Sequence, residues 1–360
     1  VVMEGSVTAN LPEPQFAARE NKELQEKAAG TALGVGGIFG YGWTGEGVTL
    51  TYCQNHADVT GNLFAGGIGG RLTGIYDGGV SAGESAKAPV IKDCFNDGLI
   101  LCSQDGSHEE AEARLEGRYF GGILGFAHRA RVETSTSISG RSSGYEFSFD
   151  KKDVSLVGQY VGGILGYGSN SCLSGCSTSK GGYILGSDYV GGIAGGLSND
   201  AREAIMGMDG VTVTINASYV IGNSYVGGIV GKNGGDGEDD ISTTIIDCIN
   251  NGVAAGYGRY IGGIAGYNGK TGELKNCASY LSDYDHSIFN QIVHKWQAAG
   301  SCVGGLAGYN NGKVVFEAES ESITVKSVSS VVVGKDYVGG IIGFNDREGS
   351  LDVSYSLIGW

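Results

Sequence analysis

Few residues in this chain have the type and spacing that a reaction requires. His108-Glu109-Glu110-Ala111-Glu112 begins like the His-Glu-x-x-His of a zinc protease but ends in glutamate, so the second imidazole ligand is missing. His56, His128, His286 and His294 are scattered, and none has a serine or cysteine partner in a nucleophile motif. Cys172 and Cys176 are close, yet no second Cys or His pair follows at finger or ribbon spacing, which argues against structural zinc. The stretch from Gly234 to Ile241 matches a calcium-binding nonapeptide, with Asp236 and Asp239 as candidate ligands. Such sites share ligands between successive repeats, and here there is one copy, so a solvated acidic loop is the favoured reading and calcium the minor one. Other acidic residues fall mostly in turns and insertions rather than in pairs on a strand face. The residues therefore predict neither a catalytic centre nor a required cofactor.

What they do predict is a scaffold. The pattern apolar-Gly-Gly-apolar-x-Gly occurs nine times, with paired glycines at Gly36 and Gly37, Gly66 and Gly67, Gly121 and Gly122, Gly162 and Gly163, Gly191 and Gly192, Gly227 and Gly228, Gly262 and Gly263, Gly304 and Gly305, and Gly339 and Gly340. A unit recurring at this interval cannot bury its faces alone and gains a core by stacking on its neighbours. In the shortest interval, Gly162 to Gly191, three strand-like pieces separated by Gly, Asn and Ser turns make one coil. The expected fold is all-β: a parallel β-helix, or β-solenoid, of about 9–10 coils. The glycine pairs are read as sharp corners needing positive φ or room for a neighbouring backbone. A tyrosine precedes the motif at Tyr119, Tyr160, Tyr189, Tyr225, Tyr260 and Tyr337, which reads as a structural column along one edge. Cys53, Cys94, Cys248 and Cys277 recur in similar contexts and predict a buried row of thiols, with bridges between neighbouring turns left open.

Residues 1–33 are read as an N-terminal segment with a capping helix over 12–30, and 34–360 as the repeat domain. Insertions are expected near 103–118, 198–210, 232–241 and 279–300, three of them with short helices. Residues 127–159 are read as a stretch with room for a further coil that has lost its motif. Because loops projecting from a rigid scaffold commonly carry recognition, Tyr284, His286, His294 and Trp296, with Glu109 and Glu112, are the candidate binding residues.

Composition narrows the partners. A formal net charge of −15 with no basic stripe makes nucleic acid a poor partner. No apolar run reaches the roughly 20 residues needed to span a bilayer, so direct membrane insertion is not expected. The start, Val1-Val2-Met3-Glu4, lacks the features of a signal peptide, and the chain is read as part of a longer protein that supplies further domains.

The fullest copy, Tyr260-Ile261-Gly262-Gly263-Ile264-Ala265-Gly266-Tyr267-Asn268, resembles the GLUG motif of bacterial surface proteins. Leu274-Lys275-Asn276-Cys277 and Asp247-Cys248-Ile249-Asn250-Asn251-Gly252 are also similar to that family's pattern, and the likeness covers roughly residues 34–360. It implies a secreted or wall-attached, adhesin-like region, or an accessory region of an immunoglobulin A peptidase. The expected function is thus non-catalytic binding of a host protein or glycoprotein, immunoglobulin among them. A structural stalk and a polysaccharide-degrading enzyme are the alternatives.

Overall fold

In the computed structural model, the chain winds into a parallel β-solenoid whose successive coils are in register. The structure describes residues 2–3, 6–8, 34–44, 48–61, 63–74, 88–102, 118–138, 158–200, 210–237, 240–280, 300–316 and 332–353. The nine glycine pairs open nine successive coils, and their first glycines form one continuous row from Gly36 to Gly339. Gly121 pairs directly with Gly162, so no further coil lies hidden between them.

A coil contains five short strands, two more than the sequence reading assigns. In one they are Gln159–Gly162, Leu165–Ser169, Cys172–Ser174, Ser177–Thr178 and Tyr183–Leu185. The first four positions each stack into one parallel sheet and the fifth into two three-stranded ones, and the one antiparallel pairing among the described residues joins Asn199–Asp200 to Asp240–Ile241. Val2–Met3 and Ser6–Thr8 pair in parallel with Gln54–Asn55 and Asp58–Thr60, so strands before residue 34 already belong to the stacked array. The proposed capping helix lies outside the described residues, as do 103–117, 201–209 and 281–299 with the helices read there.

The strand that carries the glycine pair divides two cores. Ile123, Ile164, Ile193, Ile229 and Ile264, two residues beyond the first glycine, enter the main core with Leu173, Ile245 and the cysteines. Val161, Val190, Val226 and Ile261, just before the pair, enter a second, smaller core with Ile184 and Val220 from the fifth strand. The chain is therefore buried on both sides of the glycine pair and reads as apolar there, while the start of the strand, such as Gln159 and Tyr160, stays half-buried.

The glycines of the pairs do not have positive φ. The residue before the motif does: Tyr119, Tyr160, Tyr189, Tyr225, Tyr260 and Tyr337 all have φ between 53° and 68°. Space, not conformation, selects the pair. A Cβ on Gly227 would fall within 3.0 Å of the carbonyl oxygens of Val230 and Ile264, and one on Gly228 would strike Gly263 O and the Asn250 side chain. A second row of left-handed residues turns the chain between the third and fourth strands, at Tyr52, Asp93, Thr134, Gly175, Val213, Asp247 and Asn276. Such a conformation costs a non-glycine residue about 1–2 kcal/mol, which Asp and Asn tolerate best.

The glycine argument separates two substitutions. Gly228→Ala should destabilise by at least about 2 kcal/mol, because backbone and a buried side chain must both move. Gly340→Ala meets open space and should change stability by less than about 0.5 kcal/mol. Thermal unfolding followed by far-ultraviolet circular dichroism, comparing each variant with the parent, checks both values.

Candidate functional site

The row of left-handed residues before the motif puts an aromatic ring on the outer edge of the first strand in each coil from Phe64 to Tyr260 and again at Tyr337, with Cys302 in the ring's place between them. Consecutive rings meet as Phe64–Tyr119 at 5.1 Å, Tyr119–Tyr160 at 5.3 Å, Tyr160–Tyr189 at 4.5 Å, Tyr189–Tyr225 at 4.5 Å and Tyr225–Tyr260 at 5.1 Å. The second strand contributes a parallel column, Tyr41, Arg71, Phe126, Tyr167, Gly196, Lys232, Tyr267, Tyr309 and Phe344. The two columns touch edge to face, as at Tyr160–Tyr167, 5.0 Å apart and 83° between planes. They converge at Tyr309, which contacts Tyr260 at 5.0 Å and Tyr267 at 4.9 Å. Spacing alone revealed the first column; the second required knowing that residue 167 lies beside residue 160 across a corner.

Two cations stand in the second column. Arg71 lies over the rings of Tyr41, Phe64 and Phe126 at 5.1–5.5 Å, is 9% exposed and, among the described residues, faces no carboxylate within ion-pair distance. Its Nε donates to Thr73 Oγ1 at 3.3 Å, while its Nη1 is buried without a hydrogen-bond acceptor. Burial lowers its pKa. Lys232 sits 5.5 Å from the Tyr267 ring and 3.6 Å from Asp236.

Asp236 is the one candidate metal ligand that the structure describes. Its Oδ1 accepts from the Tyr267 hydroxyl at 3.1 Å and from the Lys270 backbone N–H at 3.0 Å, so it fastens its loop to the next coil. Asp240 accepts from Gly237 N–H at 2.7 Å within the same loop. Among the described residues no three His, Cys, Asp or Glu side chains form a group suited to a metal. Glu109, Glu112, Asp239, Tyr284, His286, His294 and Trp296 lie outside the described residues. The segments that contain Glu109 and His286 both leave after the fourth or fifth strand of a coil and re-enter at the next first strand, on the same side of the solenoid.

Interior polar rows complete the inventory. Cys53, Cys94, Ser135, Cys176, Thr214, Cys248 and Cys277 occupy equivalent positions, so Cys176 belongs to the row and not to a pair with Cys172. The described cysteines whose side chains are placed are all buried. Two residues further on, Asn55 Nδ2 donates to Asn96 Oδ1 at 2.7 Å and Asn216 Nδ2 to Asn250 Oδ1 at 2.8 Å. A second ladder runs Asn233, Asn268, Asn310 and Asn345 at 2.7–2.9 Å. The recurrent Cys-x-Asn of residues 53–55, 94–96 and 248–250 was the sequence signal for the first ladder.

Compared with models of protein families, with curated proteins and with solved structures, the chain matches none.

Burial pushes the phenols of Tyr160, Tyr167, Tyr267 and Tyr309 well above the usual tyrosine range, and that of Tyr225 up to about 12. The folded chain thus holds these protons more tightly than the unfolded chain. Their contribution to stability is whole below pH about 10 and is lost as pH rises through the folded-state values. Phenolate absorbance recorded with circular dichroism during an alkaline titration should show these tyrosines ionising together with unfolding. Ionisation complete while the β-signal persists would contradict this. Separately, Arg71→Tyr should be neutral or stabilising by about 1–2 kcal/mol in thermal unfolding, since it removes a buried unpaired charge and extends the aromatic column.

Proposed function

We propose that this chain is a non-catalytic, adhesin-like scaffold that binds a host protein or glycoprotein through segments displayed on the solenoid. The observation that carries the reading is the distribution of charge. Fourteen acidic and thirteen basic residues lie in the described coils, so almost all of the net −15 belongs to the connecting segments. The coils are nearly neutral and repeat the same interior chemistry, whereas the connections differ in length, composition and charge. Recognition is commonly carried by variable segments held on a rigid frame. The resemblance of the glycine motif to GLUG repeats supports the same reading and suggests secretion or attachment to a bacterial surface. Immunoglobulin is one candidate partner.

A host-protein array probed with the chain tests this. The expected result is a partner whose binding drops at least tenfold when residues 281–299 are replaced by the short connection of residues 179–187, with the circular dichroism spectrum unchanged. Absence of any specific partner would overturn the reading in favour of a stalk. Release of reducing sugar or unsaturated product from a glycan panel would overturn it in favour of an enzyme.

A further inference from the structure

The two aromatic columns form a continuous set of ring contacts from Tyr119 to Tyr309, with successive centroids 4.5–5.3 Å apart from Tyr119 to Tyr260 and then from Tyr260 to Tyr309. We propose that this tyrosine array conducts one-electron oxidation along the solenoid and traps it at Tyr309, as a sink for peroxide-derived one-electron oxidants. Three features support it.

The first is contact: each tyrosine π-system touches the next, so an electron vacancy can pass between chemically identical groups with little driving force lost. The second is the uneven placing of bases. The hydroxyl of Tyr309 donates to the carboxylate of Asp346, and that of Tyr267 donates to Asp236. Tyr309, where the columns meet, therefore has a proton acceptor at the end of the path. Lys232 beside Tyr267 opposes positive charge there and leaves Tyr309 as the more favourable end. The third is the lack of a comparable base elsewhere: half-buried Tyr160 is enclosed by the rings of Tyr119, Tyr167 and Tyr189, and among the described residues no carboxylate accepts from its hydroxyl, so no proton acceptor is built in to fix a vacancy there.

The step balances as follows. The oxidant takes one electron from a tyrosine of the column and is reduced. An electron from Tyr309 then returns that ring to its closed-shell phenol, and the Tyr309 O–H bond breaks as its proton passes to Asp346. The products are a neutral Tyr309 phenoxyl radical, a protonated Asp346 and the reduced oxidant.

Exposure provides the contrast for a test. Tyr337 is 64% exposed and its ring contacts Phe344, whereas Tyr309 is only partly exposed and belongs to the array. The chain would be oxidised with photogenerated tris(bipyridine)ruthenium(III), persulfate serving as electron acceptor, in the presence of a nitroso spin trap. Adducts would be counted at each tyrosine by peptide mass spectrometry. The expected result is at least threefold more adduct at Tyr309 than at Tyr337. Asp346→Asn, which still accepts the hydrogen bond but cannot take the proton at neutral pH, should abolish that excess. Tyr225→Phe, which interrupts the path with a ring that is not oxidised, should lower the Tyr309 yield at least twofold. Adducts distributed by exposure, or a Tyr309 excess untouched by both variants, would overturn the proposal. Asp346 is at the surface, and matching circular dichroism spectra establish that the variants are folded.

Discussion

The structure rests on close backbone contact between coils at the glycine pairs. At Gly227 and Gly228 the next coil's carbonyl groups occupy the space that a Cβ would need. The same register holds from Gly36 to Gly339, so a side chain at one position of a coil stands directly over its counterpart in the next. Everything else follows from that superposition. Tyrosines stack because one edge position is superposed, asparagines hydrogen-bond because another is, and thiols line up because a third is. Stacked aromatics and asparagine ladders of this kind are what in-register parallel strands favour.

The contact also couples the two sides of the main core. Asn250 bonds its own coil at Gly252 O, touches Asn216 and Ser279 in the neighbouring coils, and lies against Gly228 from across the interior. A buried amide tolerates that position only because its polar atoms are paired. The second glycine of the pair and the asparagine ladder are thus parts of one packing arrangement. Where the second ladder begins, at Asn233, the coil below presents Leu197, and Asn233 Oδ1 is left without a partner.

A frame this repetitive has little room for a unique site in its coils. The departures from repetition are Arg71 within the aromatic column, the Asp236 loop and the long connections. Arg71 and Asp236 have structural partners that account for them: rings for the cation, and Tyr267 and Lys270 for the carboxylate. The connections carry the charge, and the proposed recognition is placed there for that reason.

The spacing of Gly-Gly along the chain was enough to specify a parallel stacked fold and its nine coils, since only stacking buries such short units. Spacing was also enough for the edge tyrosines and four of the cysteines, which recur at fixed offsets from the glycines or in one repeated context. Other features were illegible for a physical reason. Five strands per coil were read as three because two-residue strands such as Ser177–Thr178 are too short to show a period. Of the two roles read for the glycine pair, close backbone approach is the one it has, and the positive φ lies instead on the residue before the motif, mostly tyrosine. Only folding decided which column a residue joins. Tyr160 meets Tyr189 and Tyr167 at once because a corner and a coil boundary, neither encoded by local spacing, bring all three together.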